Sequence, residues 1–495
     1  MKKLKLLTMV AFVAITVALS GCQSKTEKIT DIPITTKSDE ARASVKQGLA
    51  MADAGDVQKA KSFYVKAIGQ DPKLAIAYIL KSGTNETPKE FADDLNQAKA
   101  NLEGTSDWEK MYYEYFNTFM TSDWNKRLEV SQKIASSYPD APRAQVDLGN
   151  TYQGGNEVVK ARECYQKAIT MDSKWVGGYA SLLNAYLFVD PKDFKKAEEN
   201  ALKVAELAPQ SPGAQIAVGD CYRAQQNLEK AREAYGKAVQ LDPNISEPYY
   251  KKGHANTFLG NYDEARQNYT DGGKHDESHS SSIQFSAYTF LYGGDCNAAM
   301  NYLSEQAGKL DASGDSKDKI DASKLNCLDN YANIAMHCGD ASKLKETIAM
   351  MEPLSTELGN QIGTNEAKMT QKAMMCYWQS IAAAMEGNFD AAKTKAEEIK
   401  TTMEPVKDPF KMNNYEFALG YMNMKQKNYS DAANHFGKII QPSVYHKYWL
   451  AMADEAGGNK DKATALYKEI SDYNFNGIDY ALIRKEVKTK VASLQ

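Results

Sequence analysis

One spacing recurs five times in this chain: a glycine at position i, an alanine at i+12 and an aromatic residue at i+16. The five sets are Gly48/Ala60/Tyr64, Gly149/Ala161/Tyr165, Gly219/Ala231/Tyr235, Gly253/Ala265/Tyr269 and Gly420/Ala432/Phe436. A longer interval, from i to i+34, relates Gly219 to Gly253 and also Pro209 to Pro243. A period of this length is typical of helical hairpins that stack into a solenoid, because one hairpin alone cannot bury its apolar face.

The spacing has a simple physical explanation. Each block is expected to form two short amphipathic helices joined by a turn such as Gly154-Gly155-Asn156. Where the helices cross, one small residue from each, for example Gly219 and Ala231, lets the backbones approach closely. Tyr235 lies one turn beyond Ala231 on the same face and fills the space beside that contact. Pro243 cannot continue the second helix, so it ends one block and begins the next.

These residues resemble the tetratricopeptide repeat. Leu148-Gly149-x-x-Tyr152 and Val218-Gly219-x-x-Tyr222 match its first helix, and Ala161-x-x-x-Tyr165 and Ala231-x-x-x-Tyr235 match its second. The resemblance implies an all-α, right-handed superhelical solenoid of stacked helical hairpins, whose first helices line a concave groove that binds a protein or peptide. It places nine side chains in that groove: Asn150, Gln153, Asp220, Arg223, Tyr250, His254, Phe258, Phe417 and Tyr421.

Two alternatives bear on these groove positions. Some tetratricopeptide domains hold a partner's C-terminal carboxylate with a lysine and an asparagine, but here Val146 stands where the lysine is required. Asp220 in the next regular block would repel a carboxylate, so this binding mode is not expected. The other alternative is that Tyr250 and Phe258 only pack between neighbouring helices.

Weaker copies of the repeat extend over most of the chain, giving roughly nine to ten hairpins. Residues 307–324 are expected to form a long loop or an overhang, and a second modest insert spans 352–369. The predicted division is 1–21 signal peptide, 22–40 lipidated cysteine and flexible tether, 41–140 N-terminal repeat with irregular hairpins, 141–275 regular repeats, 276–407 degenerate repeats with polar inserts, 408–472 C-terminal repeats and 473–495 capping helix.

The stretch from position 1 to position 22 is typical of a bacterial lipoprotein leader. Three lysines precede an apolar stretch, Leu6–Leu19, which as a helix would rise roughly 21 Å and fall short of a bilayer core of about 30 Å. A basic start and small residues after the apolar run indicate cleavage rather than a membrane span. Leu19-Ser20-Gly21-Cys22 resembles the lipobox, which implies lipidation of Cys22 and cleavage after Gly21.

Charge and the residue after Cys22 suggest where the mature chain resides. Loss of the leader, with its three lysines, takes the formal net charge from −4 to −7, which argues against binding nucleic acid or anionic lipid. Gln23 replaces the aspartate that retains some lipoproteins at the inner membrane. We therefore expect a lipid anchor in the bacterial envelope, at the outer membrane facing the periplasm.

The sequence offers no catalytic motif. It contains no G-x-S-x-G, G-x-x-x-x-G-K-[ST] or G-x-G-x-x-G, and no carboxylate pair stands apart from the charged repeat surface. His275 and His279 are close in sequence but are read as a solvated segment rather than a metal site. We therefore expect no enzyme activity, metal or cofactor.

Six cysteines follow Cys22 without CxxC spacing or the density of a disulfide scaffold. Most are expected to be buried small apolar side chains. Cys296 and Cys338 both lie near Gly-Asp turns about one repeat apart, so a disulfide between them is an alternative.

Three functions are compatible with these features. The main hypothesis is a non-catalytic scaffold that binds another envelope protein through the solenoid surface. The second is a solute- or glycan-binding lipoprotein, a class that carries large irregular insertions on tetratricopeptide helices. The third is a hydrolase whose catalytic residues are distant in sequence.

Overall fold

Paired α-helices hold most of the residues that the structure describes. A computed structural model describes residues 28–276 and 280–493, and its regular elements there are α-helices and one 3-10 turn at Leu310–Ala312. The predicted all-α fold of stacked hairpins is confirmed. The expected count of nine to ten hairpins is too low, because the described residues form 12 hairpins and a final helix.

The first four hairpins pair α1 (Asp39–Asp53) with α2 (Val57–Gln70), α3 (Ala75–Ser82) with α4 (Pro88–Ala100), α5 (Asp107–Met120) with α6 (Trp124–Ser137), and α7 (Pro142–Gly154) with α8 (Val158–Met171). The next four pair α9 (Val176–Phe188) with α10 (Phe194–Leu207), α11 (Pro212–Ala224) with α12 (Leu228–Leu241), α13 (Glu247–Leu259) with α14 (Tyr262–Gly273), and α15 (Ser280–Gly293) with α16 (Cys296–Lys309). The last four pair α17 (Lys317–His337) with α18 (Ala341–Ile362), α19 (Asn365–Met385) with α20 (Phe389–Met403), α21 (Asn413–Lys425) with α22 (Tyr429–Phe436), and α23 (Val444–Ala456) with α24 (Lys460–Ser471). The final helix is α25 (Ile478–Ala492).

The recurring glycine is required by the aromatic ring of the second helix. A Cβ atom at Gly219 would lie 2.4 Å from Tyr235 Cε1, and at Gly253 it would lie 2.3 Å from Tyr269 Cε1. The other three sets of the repeat have the same contact, at 2.4 or 2.5 Å. The ring therefore lies directly on the glycine, rather than beside a contact between glycine and alanine.

The solenoid coils so that distant hairpins meet. Helix α4 of the second hairpin packs on α18 of the ninth. The turn of the third hairpin meets the tenth, where Thr364 Oγ1 donates to the Met120 carbonyl at 2.9 Å. The fifth and twelfth hairpins also meet, because Lys447 Nζ of the twelfth lies 3.0 Å from Asp190 Oδ2 of the fifth. Hairpins seven apart are thus neighbours, so the second turn of the superhelix rests on the first.

The two predicted inserts are mostly helical. Residues 307–324 comprise the end of α16, the 3-10 turn and the start of α17, and residues 352–369 lie largely in α18 and α19. The helices α17, α18 and α19 have 21, 22 and 21 residues, against 13 and 14 in α11 and α12 of a regular repeat. Their extra length carries α18 to α4, so the inserts form one of the contacts between turns of the superhelix.

The second half of the predicted flexible tether is packed on the body. Asp31 Oδ1 accepts from Arg143 Nε at 2.7 Å, and the Ile32 side chain is buried. Thr35 N donates to Glu109 Oε1 at 3.0 Å. The tether prediction is therefore wrong for residues 31–38, because polar composition did not reveal the ion pair and buried side chain that fix them.

The final helix also differs from the prediction. A helix forms within 473–495, but it does not simply cover the last hairpin. α25 packs on α15 and α17 as well as on α23 and α24, and the side chains of Tyr480, Ile483 and Val487 are fully buried. It returns into the interior of the superhelix instead of extending it.

Cys296 and Cys338 form a disulfide that joins α16 to the end of α17. The bond closes a loop with a sequence separation of 42 residues. Loss of a cross-link over such a loop lowers the free energy of unfolding by about 3–4 kcal/mol in the chain-entropy treatment.

We expect dithiothreitol to lower the melting temperature of the wild-type protein. A variant carrying Cys296→Ala and Cys338→Ala should melt at that lower temperature with or without the reductant. Equal melting of oxidised and reduced wild type would contradict this expectation.

Candidate functional site

Most of the predicted groove residues are covered by other parts of the chain. Asn150 is exposed and Gln153 half-buried, and both oxygens accept from Tyr165 Oη, at 2.9 and 3.4 Å. The other seven are at most 7% exposed: Asp220, Arg223, Tyr250, His254, Phe258, Phe417 and Tyr421. The sequence places these seven in the groove, and the structure buries them, because neighbouring hairpins and the returning C-terminal end of the chain cover most of their surface.

Two of them belong to a buried charge network. Asp220 Oδ1 accepts from Arg223 Nη2 at 2.9 Å and from Tyr235 Oη at 2.7 Å. Its other oxygen accepts from Lys251 Nζ on α13 at 2.9 Å. Burial acts to raise the pKa of Asp220, but Lys251 and Arg223 outweigh it and the pKa is lowered. One carboxylate therefore links the glycine-containing helices of two successive hairpins.

A short non-helical stretch between α24 and α25 occupies the groove formed by α11, α13 and α15. We call residues 472–476 the C-terminal segment and the concave face of those three helices the central groove. Gln226 Nε2, just after α11, donates to the Asp472 carbonyl at 2.9 Å. Asn474 Nδ2 donates to the Arg223 carbonyl at 3.0 Å.

The second half of the segment reaches two further hairpins. Asn476 Nδ2 donates to His254 Nδ1 at 2.9 Å and to Tyr269 Oη at 3.2 Å, and Asn476 Oδ1 accepts from Tyr292 Oη at 2.8 Å. The Arg223 guanidinium lies 5.1 Å from the centre of the Phe475 ring. The segment thus contacts three successive hairpins through side chains, in the manner of a peptide bound to a solenoid.

The remainder of the concave surface holds a cavity of about 400 Å³, which we call the acidic cavity. Its wall comes from the starts of α11, α13, α15 and α17, and the turn between α1 and α2 closes one side. Tyr250, a predicted groove residue, lies in this wall. The charged side chains that line it are Asp56, Glu86, Asp242, Glu247, Asp276, Lys59 and Lys319.

The acidic cavity carries more negative than positive charge. Burial raises the pKa of Asp56, although the Gly213 amide and the Ser211 hydroxyl oppose the rise. Burial also raises the pKa of Glu247, and the charges of Asp220 and Asp56 add to the rise against the effect of Lys251. Both carboxylates would be stabilised by a positive charge placed in the cavity.

The described residues contain no group of three or more His, Cys, Asp and Glu side chains suited to a metal. His275 stacks on Tyr249 with ring centres 5.6 Å apart. Its predicted neighbour His279 lies outside the described residues, as do the lipobox and Cys22. Among residues 28–276 and 280–493, none of the helices has the length and apolar character of a membrane span.

Comparison with known families agrees with the repeat pattern. Residues 219–257 match the family described as TPR repeat, and residues 246–271 match the one described as tetratricopeptide repeat. Within residues 219–271 the helical hairpins match the tetratricopeptide repeat. These two matches cover much of α11–α14, the helices that hold the Asp220 network and most of the central groove.

Several solved tetratricopeptide and related structures are similar to this chain. Yeast Tom70 is 15% identical over 88% of this chain and 93% of its own, with a TM-score of 0.42. Cut9–Hcn1 of the APC/C is 15% identical over 88% and 78%, with a TM-score of 0.40. A tetratricopeptide repeat protein from Parabacteroides merdae is 11% identical over 59% and 100%, with a TM-score of 0.34. No curated protein matches the sequence.

The sequence does not predict that the C-terminal segment occupies the central groove. The sequence predicts a capping helix over 473–495, whereas residues 473–476 are non-helical. Asn474, Asn476 and Gly477 are poor helix formers, and their clustering could have indicated a break before α25. Sequence offered no means of placing that break against α11, α13 and α15, which are far from it along the chain.

His254 gives this tetratricopeptide groove a dependence on pH. Burial lowers its pKa well below 6.5, and Arg223 and Lys251 lower it further. A histidine that is neutral when folded but titrates near 6.5 when unfolded contributes stability that is present above pH 6.5 and lost as the pH falls below it. We expect the wild type to lose up to about 1.4 kcal/mol per pH unit more than His254→Asn between pH 6.5 and 5. Urea unfolding of both proteins measures this difference, and parallel pH profiles would contradict it.

Proposed function

We propose that this protein is a lipid-anchored scaffold of the bacterial envelope that binds a protein partner and has no catalytic role. The observation that carries the proposal is the concave tetratricopeptide surface, part of which remains open as the acidic cavity. First helices of four successive hairpins meet there, so one bound segment could contact all four. Apolar wall residues such as Ile216 and Tyr250 complement the carboxylates.

The charge of the acidic cavity determines the kind of partner segment that it fits. Five carboxylates and two lysine ammonium groups line it, and burial already raises the pKa of two of the acids. A partner segment with lysine or arginine side chains would be attracted by this excess of carboxylates, which favours association and orientation. The partner is therefore an envelope protein that presents a basic stretch.

Two features support the envelope location. One is the lipobox at Cys22, and the other is the disulfide between Cys296 and Cys338. A disulfide such as Cys296–Cys338 is maintained in oxidising compartments, including the bacterial periplasm. Both features are expected of an exported chain. Gln23 after the lipidated cysteine favours the outer membrane facing the periplasm.

The glycan-binding alternative depends on irregular insertions that would form a sugar site. The two candidate inserts are instead extended helices that carry α18 against α4. No other observation favours this function, so we do not propose it.

The anchor is tested by expressing the full chain and its Cys22→Ser variant in a diderm bacterium. Wild type should fractionate with outer membranes and carry a diacylglyceryl group on Cys22, as measured by mass spectrometry of the N-terminal peptide. Cys22→Ser should lose acylation and be recovered in the soluble fraction, because acyl burial supplies the attachment. Unmodified Cys22 in the wild type would refute the anchor.

Partner binding is tested by capture from envelope extracts onto the mature chain. Glu247→Gln combined with Asp242→Asn should weaken the captured complex by at least about tenfold, since the cavity loses charge without losing shape. Glu229→Gln combined with Glu206→Gln removes the same charge from outside the cavity and serves as the control. A stoichiometric partner bound equally by both variants would show that the cavity is not the binding surface. Charge reversal at Arg223 would be uninformative, because that side chain is buried in the Asp220 network.

A further inference from the structure

The C-terminal segment is held by polar contacts that a separate peptide could also make. Its attachment uses two asparagine side chains and one carbonyl, which bond to Arg223, His254, Tyr269, Tyr292 and Gln226. Each of these groups belongs to a hairpin other than those that flank the segment. A non-helical stretch that bridges three hairpins through side chains is comparable to a peptide captured by a solenoid.

The helices on either side of the segment are fixed independently of it. α24 pairs with α23, and α25 is held by the buried side chains of Tyr480, Ile483 and Val487. A second cavity, of about 880 Å³, adjoins the segment and is lined by Tyr473, Phe475 and Tyr480 among others. The segment therefore has space to leave the central groove while α24 and α25 remain in place.

Arg223 in the central groove has hydrogen-bond donors that the C-terminal segment does not use. Arg223 is 2% exposed, yet among the described residues its Nε and Nη1 atoms have no hydrogen-bond partner. The same guanidinium lies against Phe475, which places these two N–H groups beside the segment. Buried donors without acceptors are costly, and a carboxylate would satisfy both with charge-assisted bonds.

We propose that the central groove is a second protein-binding site, closed in this structure by the chain's own C-terminal segment acting as an internal ligand. Its external ligand is an extended segment in which an aromatic side chain replaces Phe475 and an aspartate or glutamate beside it pairs with Arg223. This site is separate from the acidic cavity and takes a partner segment of opposite charge.

Occupation by the internal segment sets the conditions for partner binding. A ligand tethered by a short loop has an effective concentration in the millimolar range. An external segment of equal intrinsic affinity therefore binds the wild type weakly, and a segment with the additional carboxylate competes better. Weak ligands are therefore outcompeted by the internal segment, whereas ligands whose carboxylate pairs with Arg223 can displace it.

The test uses the full chain and fluorescein-labelled peptides, with binding measured by fluorescence polarisation. One peptide copies residues 470–478, and a second carries Tyr473→Glu, which places a carboxylate near the Arg223 guanidinium and keeps both asparagine contacts. The protein variant Phe475→Ala/Asn476→Ala weakens the internal ligand. We expect this variant to bind the copied peptide at least about tenfold tighter than wild type does, and to bind the Tyr473→Glu peptide at least about tenfold tighter again. A peptide carrying Phe475→Ala should lose binding.

Two outcomes would overturn the proposal. The first is equally weak peptide binding by wild type and variant when their circular dichroism spectra are the same. The second outcome is measured by hydrogen exchange of the wild type, and it decides the question if the variant does not fold. Amides of residues 473–476 should exchange at least about 100-fold faster than those of Tyr480–Val487 if the segment opens locally. Equal protection of the two stretches would show that the segment is a permanent part of the core. The peptide assay needs no envelope partner, so its failure is distinct from failure of the proposed scaffold function.

Discussion

Asp220→Ala is expected to destabilise the protein by about 3–5 kcal/mol, the range for removing one member of a buried charge network. Asp220 is 4% exposed, and it is the shared acceptor of Arg223, Tyr235 and Lys251. Its loss leaves two cations and a buried tyrosine hydroxyl without that acceptor. Urea unfolding followed by circular dichroism measures the change.

Hydrogen exchange would locate the effect of Asp220→Ala. Because Lys251 belongs to the hairpin after that of Asp220, protection should fall in both α11–α12 and α13–α14. Asp263→Ala removes a carboxylate that is almost fully exposed beside Arg266, and should change stability by less than about 0.5 kcal/mol. Similar stability of the two variants would refute the role assigned to the network. The depressed pKa of Asp220 also means that its contribution is present at neutral pH and is lost as the pH falls below about 4.

Gly219→Leu is expected to cost about 3 kcal/mol, and Gly219→Ala about 1–2 kcal/mol, by overpacking a buried helix crossing. Any Cβ at this position would lie 2.4 Å from the Tyr235 ring. The ring cannot move aside freely, because it is fully buried and its hydroxyl donates to Asp220. Thermal and urea unfolding of both variants measure these losses.

A second glycine of the same hairpin provides the matched control for Gly219. Gly236 follows Tyr235 in α12, and a Cβ there would meet no heavy atom within 4 Å. Gly236→Ala should therefore stabilise the helix by about 0.5–1 kcal/mol, since glycine is the poorer helix former. The same chemical change should thus have opposite signs at two positions of one hairpin. Two changes of the same sign would show that the register assigned to this hairpin is wrong.

Sequence predicted the repeating unit well because the interactions that define it are local. Gly219 and Tyr235 belong to adjacent helices of one hairpin, so their contact depends on a fixed sequence spacing. The same reasoning located the turns and the central repeats, and it made Cys296 and Cys338 plausible partners. Hairpins without the glycine–aromatic pair, such as α3–α4 and α19–α20, were harder to count.

The candidate site was less predictable because it depends on how the solenoid coils. The repeat pattern indicated which side chains face inwards, including Arg223 and His254, and they do face the concave side. It could not indicate that residues 472–476 return to cover them, or that the turn after α1 closes the acidic cavity.

The sequence by itself determined that the chain folds into stacked helical hairpins, and it predicts a leader that is cleaved before Cys22. Only the tertiary structure decided which part of the concave surface is occupied and which is open. The physical reason is the range of the interactions. Hairpin formation depends on contacts between positions i and i+16, whereas closure of the groove depends on hydrogen bonds that span 251 and 222 positions of the sequence. No local pattern records such contacts, because they follow from the way the last hairpins coil back onto earlier ones.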